Sequence, residues 1–318
     1  MRAVGFDVVD GPEALRPVEV PAPVPGPGQV LVRVAYAGVN HGEAPHRQGR
    51  GGQPGGFTVP GLEVSGEVAA VGPGVAEPAV GEPVAAYLPD GGGYAEYAVA
   101  PAAFAFPLDG IPLRDGGGAG LTLTTAYGVL AGAARLAPGD SVLIHAAAGG
   151  VGTAAAQIAR TLGASAVYGT VGTPEKAEYA KRFGYDAVHP RERFTGQLPE
   201  VDVVLDPVGG PTRLASLSVL APFGRLAVYG EAGRHPDLAL PLEPLWQRNR
   251  SVAGYHIGDL ARRSPGTVRA HAQAALCMLA SGAIRIDVTA ELPLAEAGAA
   301  HTAPAERRGT GKTLLRVG

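Results

Sequence analysis

The chain has 318 residues, enough for two domains or one large one with a substantial core. Its 46% hydrophobic content excludes a disordered chain, and a net charge of −3 gives no reason to expect nucleic acid or a membrane surface as a partner. A single cysteine, Cys277, excludes an intramolecular disulfide and a multi-cysteine zinc site, and no apolar run reaches the roughly 18 residues of a membrane span.

The N-terminal "MRAVGFDVVDG" reads as an amphipathic strand and turn rather than a signal peptide, so a soluble cytoplasmic protein is expected. "GQVLVRVAYAGVN" alternates through Val30, Val32 and Val34. "GEVAAVGPGV", "GEPVAAYLPDGGGYAEYAVA" and "FAFPL" follow, separated by Gly and Pro. Closely spaced strands of this kind predict a partly closed β-barrel or sandwich. The middle third changes character. "SVLIHAA", "ASAVYGT", "DAVHP", "VDVVLDP", "GRLAVYG" and "VAGYHI" are strand-like, and helix-like segments such as Gly152–Leu162 and Pro174–Phe183 lie between several of them. Alternation of this type predicts right-handed βαβ units and a parallel sheet. A helix over Thr267–Ser281 and a final strand over Lys312–Val317 complete the chain. No internal repeat is present, and patches such as "GRGGQPGGF" read as loops.

The first strand-helix join of the parallel series, "SVLIHAAAGGVGTAAAQIAR" (Ser141–Arg160), carries Gly149, Gly150 and Gly152. Glycines at such a join let a dinucleotide pyrophosphate approach the backbone at a helix N-terminus. Against the usual G-x-G-x-x-G the positions are Ala147, Gly149 and Gly152, so the first glycine is missing. The alternative is a plain join in which glycine only eases packing. The cofactor-binding stretch is taken as Ala148, Gly149, Gly150 and Val151. The second strand ends "VYGTVGTPEK" with no acid at its tip to bond a ribose hydroxyl. Thr173 is placed to be an N-cap and Pro174 the N1 residue, which puts Lys176 at N3, where a cation opposes the helix dipole unless an anion binds. Gly172, Thr173 and Lys176 are therefore expected to hold the 2′-phosphate of NADP; the alternative is a solvated surface lysine. Ligands in doubly wound sheets bind at carboxyl ends of strands. Val208, in "DPVGG", and Tyr229 and Gly230, in "VYGEAG", are expected to line the cofactor cleft.

Taken together, these segments resemble the quinone oxidoreductase/zeta-crystallin branch of the medium-chain dehydrogenase/reductase superfamily. Gly139–Arg160 is similar to its diagnostic segment, through Gly139-Asp140, Leu143, Ala147-Ala148, the Gly-Gly-x-Gly run, Gln157 and Arg160. "GTVGTPEKA" is similar to its NADPH loop. Ala37–Glu43, Pro60–Gly72, Gly92–Ala100, Leu123–Leu130 and Gly311–Leu315 extend the resemblance over nearly the whole chain. It implies an α/β protein: a GroES-like β-barrel catalytic domain over 1–121 and 259–318, and a doubly wound parallel Rossmann NADP-binding domain over 122–258, with the active site in the cleft. It also implies NADPH-dependent reduction of a small-molecule quinone or activated enone, usually by a homodimer.

Zinc-dependent relatives place a Cys and a His where this chain has Asn40 and Leu62, and leucine binds no metal, so the resemblance is to the zinc-free branch. Two departures stand out. Pro190 occupies the place of a Tyr that contacts the 2′-phosphate in some relatives, with Arg191 as a possible replacement. Pro45 and His46 occupy the place of a substrate-side Tyr. Hydride transfer is the cofactor's chemistry, while the protein supplies position and electrostatics. Asn40 is the first candidate for stabilising an oxyanion; the alternative is an Asn that only stabilises a turn before Gly42. Thr125 stands where the family's nicotinamide-contacting Thr lies, and the alternative is a helix-start hydroxyl. His41 and His46 are candidate proton relays, though loop histidines are more often exposed. "GTGKT" looks like a P-loop tail, but Glu306 stands at the first glycine and no helix can follow. "NRS" (Asn249–Ser251) fits a glycosylation acceptor with nothing to suggest secretion. Two other functions remain open: a zinc-free reductase of enoyl thioesters or alkenals, and a non-catalytic NADPH-binding protein. An apolar "SVAGYHIG" (Ser251–Gly258) at the sheet edge is expected to pair two copies.

Overall fold

The computed structural model describes residues 1–7, 11–43, 57–236, 239–305 and 308–318. The chain divides into two units, one of Met1–Thr124, Leu260–Ser281 and Ile286–Gly318, the other of Thr125–Asp259 and Gly282–Arg285.

The first unit opens with β1 (Arg2–Gly5), β2 (Arg16–Glu19), β3 (Gln29–Val39), β4 (Glu63–Val71), β5 (Pro83–Tyr87), β6 (Tyr97–Pro101) and β7 (Ala105–Pro107), then helix α1 (Leu113–Gly116) and the first half of α2 (Thr122–Tyr127), whose second half belongs to the second unit. The second unit carries β8 (Ser141–His145), α3 (Gly150–Thr161), β9 (Ala166–Val171), α4 (Pro174–Lys181), β10 (Ala187–Pro190), β11 (Val201–Asp206), α5 (Gly210–Ser218), β12 (Leu220–Val228), α6 (Glu243–Gln247) and β13 (Ser251–Gly254). After α7 (Ile257–Arg263) the chain returns to the first unit with α8 (Pro265–Ala280), β14 (Val288–Pro293), α9 (Ala297–Ala305) and β15 (Lys312–Arg316).

In the first unit β1 pairs with β2, and a larger sheet runs β14-β15-β3-β4-β5-β7 with β6 also paired to β3. Its pairs are antiparallel except β14 with β15. The alternation seen in the sequence is what β3 uses: Val30, Val32 and Val34 are buried in the core with Val64, Val68 and Val84. Register shifts opposite β4 between Leu31 and Val32 and between Val34 and Tyr36 bend β3, as bulges do. The final strand β15 pairs antiparallel with the C-terminal half of β3, which brings Lys312 to the end of β3 that leads into Asn40.

The second unit's sheet runs β10-β9-β8-β11-β12-β13, all parallel. Numbered from β8, this is the doubly wound order 3-2-1-4-5-6, whose direction reverses between β8 and β11. Val142, Leu143 and Ile144 of β8 are fully buried, as expected for a strand covered on both faces. The edge strand is shorter than the sequence suggested: β13 ends at Gly254, because Ile257 already begins α7. The Tyr255 N–H donates to Val228 O at 2.8 Å. Donors alternate along a strand, so the N–H groups of Ala253 and Tyr255 face β12, and those of Val252 and Gly254 face the open edge.

His145, at the end of β8, is fully buried. Its Nδ1 lies 2.7 Å from Thr170 Oγ1 and its Nε2 2.8 Å from Ser216 Oγ. The Ser216 hydroxyl donates to Thr212 O, so Nε2 carries the proton and Nδ1 accepts from Thr170. Burial pushes the imidazole from 6.5 down to about 4, with Asp206 opposing and Arg191 assisting. The unfolded chain therefore binds the extra proton between these values. The stability contributed by neutral His145 is complete above pH 6.5 and is lost as pH falls toward about 4, by a few kcal/mol (~3). Denaturant titrations at pH 7, 5.5 and 4.5 will show a steeper acid loss for the wild type than for His145→Gln. Equal slopes would mean that the ring is not buried neutral.

Candidate active site

The glycine-bearing join sits between β8 and α3. Ala146 adopts a left-handed conformation (φ 54°), Gly149 is the N-cap, and its N–H donates to Ala146 O at 3.0 Å. A Cβ on Gly152 would lie 2.4 Å from Ala146 O and 2.8 Å from Ala147 O, so only glycine fits that turn of the helix. Ala148 is buried, whereas Gly149, Gly150 and Val151 remain partly exposed. Helix geometry leaves the N–H groups of Gly150, Val151 and Gly152 without intrahelical acceptors, which makes an anion cradle. The missing first glycine is compensated on the neighbouring strand: a Cβ on Gly169 would come within 2.8 Å of the Ala147 methyl. The methyl occupies the space that Gly169 leaves. Tyr185 supports the turn from below, donating to Gly152 O at 2.7 Å.

The segments after β11 and β12 are tied together by Asp206, which is fully buried. Its carboxylate accepts from the N–H groups of Val208 at 2.7 Å and Gly209 at 3.0 Å and from Arg213 Nε at 2.7 Å. Arg213 also donates to Gly230 O at 2.8 Å and pairs with Glu231. The Tyr229 N–H donates to Asp206 O at 3.0 Å. Val208, Tyr229 and Gly230 are thus gathered at the carboxyl ends of two adjacent strands. Burial, and then the Asp206 charge, raise the pKa of the Tyr229 hydroxyl. Asp206 and Arg213 were not singled out from the sequence, although an acid ending an apolar strand before "VGG" was the available signal.

At the end of β9, Thr173 is the N-cap of α4 and Pro174 follows it, with Lys176 in the first turn. The first turn also holds an acid. Its own backbone N–H and the Thr173 hydroxyl lower the pKa of the exposed Glu175 carboxyl, so part of this helix end is already satisfied. The cationic feature that remains is a pair. Burial, and then the charge of Arg191, lower the pKa of Lys176, and Arg191 Nη2 lies 3.5 Å from where a Gly172 Cβ would be. Gly172, Lys176 and Arg191 are brought together, and the Arg191 N–H donates to Val171 O at 2.9 Å.

In the first unit, Asn40 follows β3 in a turn closed by the Glu43 N–H donating to Asn40 O at 3.2 Å. Its carboxamide is held at both ends. Oδ1 accepts from Lys312 Nζ at 2.8 Å and lies 3.3 Å from Thr122 Oγ1, while Nδ2 donates to Gly38 O at 3.1 Å and lies 3.5 Å from Glu43 Oε1. Lys312 is paired with the fully buried Glu63. Glu63 also accepts from the N–H groups of Leu121 (2.8 Å) and Thr122 (3.1 Å) and from Thr122 Oγ1 (3.0 Å). Burial works to raise the Glu63 pKa, but the Lys312 charge, the Lys312 hydrogen bond and the two backbone donors outweigh it and hold the carboxyl below its usual range.

A second buried cluster adjoins the turn. Glu43 accepts from the N–H groups of Asn40 and Leu62, both at 3.0 Å, and from the Tyr94 hydroxyl at 2.7 Å. The Tyr94 oxygen in turn lies 2.8 Å from His301 Nε2. Burial dominates at Glu43 and raises its pKa despite these donors. Thr125 is half-buried on α2 and belongs to the second unit. Thr122, three residues earlier, joins the Asn40 network. His41 is exposed, and Pro45 and His46 lie outside the described residues. The sequence reading missed Glu63, Lys312 and Thr122, and it set the Lys312 segment aside as a P-loop look-alike. That segment continues as strand β15. Among the described residues no group of three or more His, Cys, Asp or Glu side chains is placed to hold a metal ion, and no helix is long and apolar enough to cross a membrane.

Residues 26–110 match the alcohol dehydrogenase GroES-like domain, and residues 150–275 match the family described as zinc-binding dehydrogenase. A quinone oxidoreductase of Pseudomonas aeruginosa is 34% identical over 99% of this chain and 99% of its own length. A 2-haloacrylate reductase of a Burkholderia species is 35% identical over 96% of each. A mycobacterial protein solved in complex with NADPH superposes with a TM-score of 0.91 at 32% identity, covering 99% of both chains. With a GroES-like domain, a doubly wound parallel sheet and full-length relatives at this identity, the chain belongs to the medium-chain dehydrogenase/reductase superfamily and is of the quinone oxidoreductase type.

Proposed function

We propose that the protein is an NADPH-dependent reductase of quinones or activated enones that works without zinc. The observation that carries the cofactor assignment is the adjacent Lys176 and Arg191 beside Gly172. Two cations held against mutual repulsion fit a doubly charged phosphate, and Lys176 and Arg191 would hold the 2′-phosphate of NADPH. The N–H groups of Gly150, Val151 and Gly152 suit its pyrophosphate, with Val208, Tyr229 and Gly230 alongside. When bound, NADPH supplies hydride to an electrophilic carbon or carbonyl. The chain's part is to hold the reactants, and Asn40 Nδ2 is the donor we assign to the oxygen where negative charge develops. A proton then completes the product. Thr125 is assigned to the nicotinamide on the resemblance alone.

The residues around Asn40 do not suit a zinc ion. Its oxygen already faces the Lys312 ammonium, and Glu63 is committed to that ammonium and to Thr122. The named relatives, a quinone oxidoreductase and a reductase of a haloacrylate, support a small unsaturated carbonyl substrate. The proposed homodimer rests on the open edge of β13.

Lys176→Ala will weaken NADPH binding about ten- to a hundredfold by removing a charge-assisted contact, and will leave NADH nearly unchanged. Equal losses for both cofactors in fluorescence titration would remove the 2′-phosphate assignment. NADPH consumption with benzoquinone or an activated enone will survive exhaustive chelation. Loss on chelation with recovery on added zinc, or turnover of a crotonyl thioester alone, would refute the reading. In sedimentation velocity the wild type will be a dimer and Val252→Pro a monomer, since that proline removes a donor facing the open edge. A monomeric wild type, or a dimeric variant, would place the interface elsewhere or nowhere.

A further inference from the structure

We propose that Lys312 is a positioning residue for Asn40: the buried Lys312–Glu63 pair fixes the carboxamide with its oxygen turned into the protein and its N–H₂ group presented to the substrate oxygen. This rests on the reading that Asn40 meets the substrate. A carboxamide has two orientations that exchange its oxygen and nitrogen, and its neighbours decide between them. On the oxygen side stands an ammonium, which can only donate, at 2.8 Å. On the nitrogen side stand two acceptors, Gly38 O at 3.1 Å and a Glu43 carboxylate oxygen at 3.5 Å. Turning the amide over would set N–H against N–H and oxygen against oxygen.

The ammonium is itself immobilised. Besides Asn40 and Glu63 it donates to Val39 O at 3.0 Å and Thr122 Oγ1 at 3.1 Å, so three hydrogens serve four acceptors. Lys312 is 3% exposed and Glu63 not at all. A buried ion pair is weak evidence of stabilisation, since a well-packed apolar pair does as well or better. What an apolar pair cannot do is orient a neighbouring amide. Donation from a cation to Oδ1 also polarises the carboxamide and strengthens its N–H groups as donors. Both amide hydrogens have protein acceptors here; the one directed at Glu43 has the longer contact, and on this proposal a substrate carbonyl oxygen takes it in place of that carboxylate.

Removing Lys312 alone would strand Glu63 as an unpaired buried carboxylate, so the test uses the neutral pair Glu63→Gln/Lys312→Met, alone and combined with Asn40→Ala. With benzoquinone the neutral pair is expected to lower kcat about tenfold or more while NADPH affinity holds. Asn40→Ala is then expected to add little in that background. An unchanged kcat, or losses that multiply, would overturn the proposal. Asn40→Asp is a second arm that keeps the shape and the attraction to Lys312 but removes the donors. It should abolish turnover while NADPH affinity holds, and an active Asn40→Asp enzyme would equally overturn the proposal.

A readout independent of turnover is available because Asn40 and Asn249 are the only asparagines in the sequence. Asparagine-selective ¹⁵N labelling gives two side-chain amide pairs, and Asn40→Asp identifies one. Its two proton shifts should be well separated in the wild type and collapse toward solvent values in the neutral pair. If they do not move, Lys312 does not orient Asn40. A wild type that consumes no NADPH with any acceptor would instead defeat the activity reading, leaving the amide shifts to decide the orientation.

Discussion

A lysine ammonium almost withdrawn from water ties together the strands and the turn around Asn40. Lys312 reaches from the last strand to the end of β3, to Glu63 on β4 and to the first residue of α2. Desolvating each ion costs several kcal/mol, and that cost is offset only where every remaining donor and acceptor is met. Here both backbone donors at Leu121 and Thr122 and the Thr122 hydroxyl complete Glu63. The carboxylate therefore ties together segments distant in the chain, and a shift in any of them would expose a charge. The Glu43–Tyr94–His301 cluster pins the same turn from the other side through the Asn40 N–H. Neither cluster leaves Asn40 free to choose a rotamer.

The second unit solves its problem with backbone rather than buried charge. Its anion cradle is a strand end, a left-handed Ala146, a Gly152 that admits no side chain, and a helix N-terminus. Where it does use a buried acid, Asp206 faces two backbone N–H groups and Arg213, and its effect is to bind the segments after β11 and β12 to each other. His145 sits beneath this surface uncharged and bonded at both nitrogens. A cofactor with fixed phosphates suits a site made of backbone geometry. A reacting oxygen whose charge appears only during the reaction calls for a donor whose orientation is settled beforehand.

The doubly wound sheet was legible because its strands are short apolar runs punctuated by helices, and the period changes are unmistakable in Ser141–Arg160. Features that depend on neighbours across the sheet were not. Ala147 looked like a defect in the glycine pattern, and only the pairing of β8 with β9 shows that Gly169 makes room for it. The edge strand looked longer because "VAGYHI" stays apolar past Gly254, but that apolar stretch belongs to the approach and start of α7. Its donor directions follow from the ladder with β12, which placed Ala253 and Tyr255 on the same side. At the proposed active site, Asn40 could be picked out from its motif. Lys312 could not, because a lysine after "GTG" reads as a surface or phosphate-binding residue until β15 is seen to run beside β3. Glu63 adjoins Leu62, the residue at the metal-ligand place of zinc-dependent relatives, and its burial against Lys312 is visible only in the fold. A glutamate heading the strand in the otherwise uncharged "GLEVSG" was itself the available signal of a buried acid that needs partners.

On the proposed role of Asn40, the Lys312–Glu63 pair also accounts for a neutral amide serving in place of a stronger electrophile. A lone asparagine N–H in water is a modest donor and is free to turn over. Set in a low-dielectric site with an ammonium behind its oxygen, it presents part of the cation's field through a fixed dipole. The cation itself stays out of reach of water and substrate. Moving the charge one hydrogen bond back avoids a lysine that would have to be desolvated anew at each turnover, because its desolvation is met once, on folding, by Glu63. Replacing the pair by apolar residues could therefore make the protein more stable and the enzyme worse, the usual sign that a costly buried group is kept for its function rather than for the fold.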